Sequence, residues 1–170
     1  MNQASKLNLD TLIKSLHLSP HPEGGFYTEV YRSDGIIEID EDEFPDGRHY
    51  STSIYYLLES DDQSHFHRIK SDEIWHHYEG SPLTIHLITP TGSYRTLSLG
   101  KNLEKGQKPQ QIVPAGYWFG VTVEEQDSFA LCGCAVSPGF DFDDFEMADR
   151  SDLMEQFPEH EEIIKKLTRE

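Results

Sequence analysis

Residues Ser64 to Gly80 read S-H-F-H-R-I-K-S-D-E-I-W-H-H-Y-E-G and hold four of the chain's nine histidines beside two adjacent acids. On a strand from Ser64 to Ile69, the period of two puts His65 and His67 on one face and Phe66 on the other. A second strand from Glu73 to Tyr78 brings a carboxylate to the same face. Two imidazoles and a carboxylate facing one cavity support two kinds of chemistry. As a facial triad, His65, His67 and Glu73 hold a divalent metal such as Fe, Mn, Ni or Zn. As a metal-free cluster they move protons, with His67 as the base and Asp72 or Glu73 fixing its tautomer and raising its pKa. The opposing acid is then a tyrosine, with Tyr27, Tyr31, Tyr55 and Tyr117 as candidates.

Other residues join this set by position. Trp75 and His77 share the Glu73 face of their strand, while Ile74 and His76 take the opposite one. A histidine in a strand commonly bonds a backbone carbonyl, so a structural role is weighed beside the functional one for His76, His77 and His86. His21 and Glu23, next to Gly24 and Gly25, either cap a turn or line the mouth of a pocket. Glu29 and Arg32 stand with Tyr27 on the strand that follows. An inward Arg32 or Arg68 binds a phosphate or carboxylate bidentately, or pairs with a neighbouring acid.

The elements that position these residues are mostly strands. Leu9, Leu12, Ile13 and Leu16 have helical spacing, with Asn8 or Asp10 available as a cap, and Pro20 and Pro22 end that helix. Strands are expected over Phe26 to Arg32, Tyr50 to Leu58, Ser64 to Ile69, Glu73 to Tyr78, Leu83 to Thr89, Tyr94 to Leu99, Gln111 to Pro114, Tyr117 to Val123 and Phe129 to Val136. Ser33 to Arg48 reads as a short hairpin with an acidic loop. Ser151 and Pro158 open two short C-terminal helices. Phe140, Phe142 and Phe145, set among acids, need cover. Short strands at intervals near ten residues indicate an antiparallel sandwich or barrel in a single domain. Its core spans about residues 24–140, with helices near 8–18 and 151–168.

Composition narrows the partners. The 170 residues carry 14 Lys and Arg against 31 Asp and Glu, a net charge of −17. That balance argues against nucleic acid and against a polybasic membrane contact. No apolar run approaches ~18 residues, and Met1 is followed by polar Asn-Gln-Ala-Ser-Lys, so a cytoplasmic location is expected. Cys132 and Cys134, two apart in an apolar run, read as buried small hydrophobes rather than a disulfide or redox pair.

The stretch from His65 to Gly80 resembles the first motif of the cupin superfamily, in which H-x-H is followed by a Glu and then a Gly. The gap between His67 and Glu73 is about one residue longer than usual. In the second cupin motif, P-x-G-x-x-H, this chain has Pro114, Gly116 and Phe119, so the metal-binding His is absent. The blocks H-P-E-G-G-F-Y-T-E-V-Y-R-S, S-T-S-I-Y-Y-L-L, F-H-R-I-K-S-D-E-I-W-H and V-P-A-G-Y-W-F-G together resemble Cupin_5, a subfamily of unknown function, over roughly residues 7–150. The resemblance implies a mainly β, single-domain jelly-roll barrel with short terminal helices, commonly dimeric, with a pocket in its mouth.

Three functions follow as expectations. The first is binding of a small polar metabolite, such as a sugar or nucleotide sugar, with isomerase or epimerase-type chemistry. The second is a metal-dependent enzyme, a dioxygenase or metal-assisted isomerase, and the third a non-catalytic binding or storage protein. The expected site comprises His67, Glu73 and Asp72 for catalysis, with His65, His77, Trp75, Tyr27, Glu29, Arg32, Tyr55, Tyr117 and Phe119 around the ligand. A homodimer or higher homo-oligomer is expected, with Phe26 to Arg32 at the contact, because open sheets leave edges to be covered.

Overall fold

The computed structural model describes residues 9–170; the expected cap at Asn8 and the polar start at Met1 to Lys6 lie outside them. The chain is mainly β, a two-sheet sandwich with short helices toward each end. Helix α1 (Leu9–Ser15) leads into β1 (Ser19–Pro20), β2 (Phe26–Arg32), a small hairpin of β3 (Ile36–Ile37) and β4 (Arg48–His49), and β5 (Thr52–Glu59). Next come β6 (Ser64–Arg68), β7 (Asp72–Gly80), β8 (Leu83–Ile88), β9 (Tyr94–Leu99), β10 (Gln110–Val113), β11 (Trp118–Val123) and β12 (Phe129–Ser137). Strand β13 (Glu146–Met147) and helices α2 (Arg150–Gln156) and α3 (Glu161–Lys166) close the chain.

One sheet has the order β1-β2-β5-β12-β7-β10 and the other β13-β6-β11-β8-β9. Neighbouring strands in both are antiparallel. Half of the space between the sheets is filled by Leu58, Trp75, Leu83, Ile85, Leu87, Phe119, Val121 and Cys132, all buried. The outer faces are covered by the helices. Leu12 of α1 packs with Leu57 and Leu18, while Leu153, Ile164 and Leu167 of the C-terminal region pack on Phe66, Ile88 and Trp118. The sidedness follows from the pleat, because Phe66 and Ile88 point away from the inner core and would be wet without that cover.

Local chemistry departs from expectation in two places. Helix α2 is capped by Asp149, whose side chain accepts the Asp152 N–H, not by Ser151. Pro158 opens a 3-10 turn, Pro158–His160, and the α-helix starts only at Glu161. Cys132 and Cys134 are free and buried, and burial pushes both thiols above their ordinary pKa.

Candidate functional site

The other half of the intersheet space is a cavity of about 490 Å³. Strands β2, β5, β7 and β12 form one wall, and His67 of β6 stands on the opposite sheet. The loop before β2 supplies His21 and Glu23. The segment after β12 crosses the mouth with Phe140, Asp141, Phe142 and Phe145.

Two bulges decide which residues face inward. Strand β2 pairs with β5 as Tyr27 with Tyr56, Glu29 with Ile54, and then, past a register shift at Val30, Arg32 with Thr52. The extra residue reverses the parity, so Arg32 faces the cavity and Tyr31 faces solvent. Strand β6 opposes β11 with Phe119 beside His67 and Val121 beside Ser64, so β6 carries one more residue than its partner between those pairs. Ser64 and His67 therefore both point inward, and simple alternation of His65 with His67 does not hold.

The centre of the site is Glu23. Its carboxylate is 3.0 Å from Nε2 of His67 and accepts the Ser64 hydroxyl at 3.0 Å. The turn that carries it needs both glycines. Gly24 has φ of +116°, and a Cβ there would lie 2.1 Å from the Gln63 carbonyl; Gly25 has φ of +69° and would meet the Leu57 carbonyl at 2.6 Å. The Glu23 carbonyl accepts the His65 backbone N–H at 2.8 Å and bonds His65 Nδ1 at 2.6 Å. The His65 side chain thus clamps the Glu23 backbone and is not among the residues lining the cavity.

His67 bonds the His65 carbonyl through Nδ1 at 2.7 Å and Glu23 through Nε2. Neither partner can donate in its ionised or carbonyl form, so both ring nitrogens carry protons and the ring is an imidazolium. Burial opposes that charge, but the Glu23 charge and hydrogen bond outweigh it and raise the His67 pKa. Burial likewise resists ionisation of Glu23, yet His67 and His21 hold its pKa down at about 2. Glu73 is the converse. It lines the same cavity, is 8% exposed, and has no ion-pair partner among the described residues. Burial, reinforced by the Glu23 charge, pushes its pKa up to about 7. Burial pushes His21 down; its ring sits 4.5 Å, centroid to centroid, from Tyr27.

Of the expected residues, His67, Glu73, Tyr27, Glu29 and Arg32 are brought together at the cavity. Asp72 is on the opposite face of β7, exposed, where its carboxylate accepts the Ala115 N–H at 2.8 Å; the carboxylate on His67 is Glu23 instead. Trp75 and Phe119 are buried in the apolar half, with Phe119 against the His67 ring at 4.1 Å. His77 is buried on the Glu73 side of β7, as alternation predicts, but its Nε2 bonds the Ser81 carbonyl at 2.9 Å. Tyr55 packs under α1 and Tyr117 against the apolar half. His86 bonds the Tyr94 and Thr122 hydroxyls, and burial pushes its pKa down to about 4. Tyr56 takes the place expected of Tyr55 and donates to the Gly24 carbonyl at 2.8 Å. The sequence did not single out Tyr56, Cys134, Thr52 or Ile54 as cavity residues.

His65 is turned to a carbonyl, both His67 nitrogens are engaged, and Phe119 offers no ligand atom. Among the described residues no three His, Cys, Asp or Glu side chains are placed to hold an ion. This donor set does not fit the triad of His65, His67 and Glu73.

Comparison with known proteins agrees with the geometry. Protein SO0799 from Shewanella oneidensis superposes with a TM-score of 0.88 at 42% identity, over 96% of this chain and 98% of that one. A hypothetical protein from Leishmania major gives 0.89 at 38%, over 96% and 100%. The uncharacterised protein YML079W of Saccharomyces cerevisiae is 31% identical over 148 residues, 81% of this chain and 73% of its own. Oxalate decarboxylase OxdC of Bacillus subtilis shares the fold alone, with a TM-score of 0.55 at 13% identity, over 91% of this chain and 38% of that one. The family profile described as Cupin superfamily (DUF985) matches residues 10–148, and the chain therefore belongs to the Cupin_5 family of the cupin superfamily.

Proposed function

We propose that this protein binds a small polar metabolite between its sheets and moves a proton on it, in an isomerase or epimerase-type reaction. The observation that carries the reading is Glu73, a buried carboxyl facing the cavity with a pKa of about 7. Near neutrality such a group exists in both forms, as one that takes and returns a proton must. It takes the role expected of His67, whose two nitrogens are already bonded. In the step envisaged, the Glu73 carboxylate removes the proton from a carbon next to a carbonyl, and the C–H electron pair passes into an enolate. Inversion is completed when the Tyr27 phenol at the cavity wall reprotonates the same carbon from the other side, after which the Glu73 carboxylic acid and the Tyr27 phenolate are reset by proton exchange with water; isomerisation is completed when Glu73 returns its proton to the former carbonyl carbon.

The test is solvent exchange. Aldoses, ketoses and keto sugar nucleotides incubated with the protein in deuterium oxide are followed by proton NMR. Loss of a signal adjacent to the carbonyl, abolished by Glu73→Gln, is the expected result. Exchange that persists in Glu73→Gln, or none with any compound, overturns the reading.

A further inference from the structure

The cationic groups at the cavity are already matched by protein acceptors. Arg32 directs Nε and Nη2 at the two Glu29 oxygens, at 2.9 and 2.7 Å, and Nη2 also at the Phe140 carbonyl, at 3.1 Å. His67 is saturated by Glu23 and the His65 carbonyl. Among the described residues no other Lys or Arg lines the cavity, and His21, which does, accepts the Glu23 N–H at Nδ1 and has its pKa lowered by burial, away from the charged form. Glu73, in contrast, has no counter-ion there and presents acceptor oxygens to whatever enters. A phosphate in this space would shed its water without finding an uncommitted cationic donor, and would face carboxylates. A hydroxyl group would find an acceptor in place.

The mouth adds a second feature. Phe140 and Phe142 meet edge to face at 4.9 Å, Phe142 and Phe145 at 5.8 Å, and Phe142 keeps 47% of its surface in solvent. Flat apolar surface beside deep acceptors matches a ring with one C–H-rich face and hydroxyls at its rim, because covering the first is favourable and the second stay bonded. A cavity of about 490 Å³ accommodates such a ring with neighbouring groups.

We infer, resting on the proton-transfer reading above, that the ligand is an uncharged polyhydroxylated ring, a free sugar rather than a sugar phosphate or nucleotide sugar, which binds as the ring and exposes the carbonyl that the proton-transfer step needs when it opens. Its hydroxyls donate to Glu73 and its C–H face lies on the Phe142 side of the mouth.

Calorimetric titration with D-glucose, D-galactose and L-rhamnose, their 1-phosphates and their nucleotide-diphosphate derivatives tests this. At least one free sugar is expected to bind about tenfold or more tighter than its phosphorylated forms, a difference of about 1.4 kcal/mol. Glu29→Gln, which releases Arg32, is expected to narrow that gap. A phosphorylated form that binds as tightly as its free sugar, a gap that Glu29→Gln leaves unchanged, or no binding by any free sugar overturns the inference. The first two outcomes leave the proton-transfer reading standing. Conversely, free sugars that bind while no compound exchanges a proton would sink that reading and keep this one.

Discussion

Glu23 Oε2 stands 3.0 Å from His67 Nε2, with the two side chains 7% and 3% exposed, so a carboxylate from the loop before β2 is buried against an imidazolium on the opposite sheet. Such a pair contributes little over an apolar substitute, yet removing one partner leaves the other charged and unmatched in a place water does not reach. Glu23→Gln is therefore expected to lose on the order of 3 kcal/mol of unfolding free energy and to lower the His67 pKa. Nitrogen-15 NMR of the imidazole is the direct check. Two protonated ring nitrogens at neutral pH are expected in the native protein and one in the variant. An unchanged titration of His67 would show that Glu23 does not hold its proton.

How far the site was legible in the sequence depends on parity. The strands follow from β-branched and aromatic runs between turn residues, and nearly all stand within two residues of their expected limits. The inward faces were harder to read. In S-T-S-I-Y-Y-L-L both parities are apolar, so nothing in the sequence chose Tyr56 over Tyr55 for the cavity. The bulges at Val30 and in β6 each shift parity by one residue, and a period-of-two reading has no means of placing them. Hence parity does not separate Arg32 from Tyr31, and it groups His65 with His67. Glu23 had a visible mark, an acid immediately before two glycines. Its contact with His67, more than forty residues along the chain, is a tertiary fact that no local pattern carries.

The donor geometry makes a prediction about metal. Because His67 spends both nitrogens on Glu23 and the His65 carbonyl, His65 turns Nδ1 to the Glu23 carbonyl and does not line the cavity, and Phe119 fills the second-motif position, protein purified without an affinity tag is expected to contain only substoichiometric Fe, Mn, Ni or Zn. Elemental analysis decides it. One equivalent of any of these, removed by chelation with a change in the His67 NMR signals, would refute the assignment of Glu23 as the partner of His67.

The edge of the first sheet bears on assembly. Strand β1 pairs only with Phe26 and Tyr27, so among the described residues the outer edge of β2 beyond Tyr27 has no strand beside it. Val30 and Tyr31 are 48% and 55% exposed there. An open apolar edge favours association, and we propose that a second copy covers it. Sedimentation is expected to give a homodimer or larger homo-oligomer, shifted toward monomer by Tyr31→Lys. A monomer at micromolar concentration for the native chain would rule the contact out.

Glu73 links the site to the pH dependence of stability. Burial and the Glu23 charge raise its pKa from an ordinary 4.5 to about 7 in the folded chain. Between those values the folded protein keeps a proton that the unfolded chain has released, so this group's contribution to stability falls as pH rises through the window and is level above it. At 1.36 kcal/mol per pH unit, the loss approaches about 3 kcal/mol. Glu23 acts in the opposite sense, since its depressed pKa gives stability that disappears as pH falls from about 4.5 toward 2. His67, raised, gives stability that is lost as pH rises through its folded value. Comparing Glu73→Gln with the native protein removes most of the last two contributions, because both chains retain them. In urea unfolding, the variant is expected to match the native protein near pH 4.5 and to exceed it increasingly up to about pH 7, with a constant advantage above. A difference that is the same at pH 5 and pH 8 would mean that Glu73 titrates alike in the folded and unfolded chain. The raised pKa would then be lost, and with it the reason to give Glu73 the proton-carrying role.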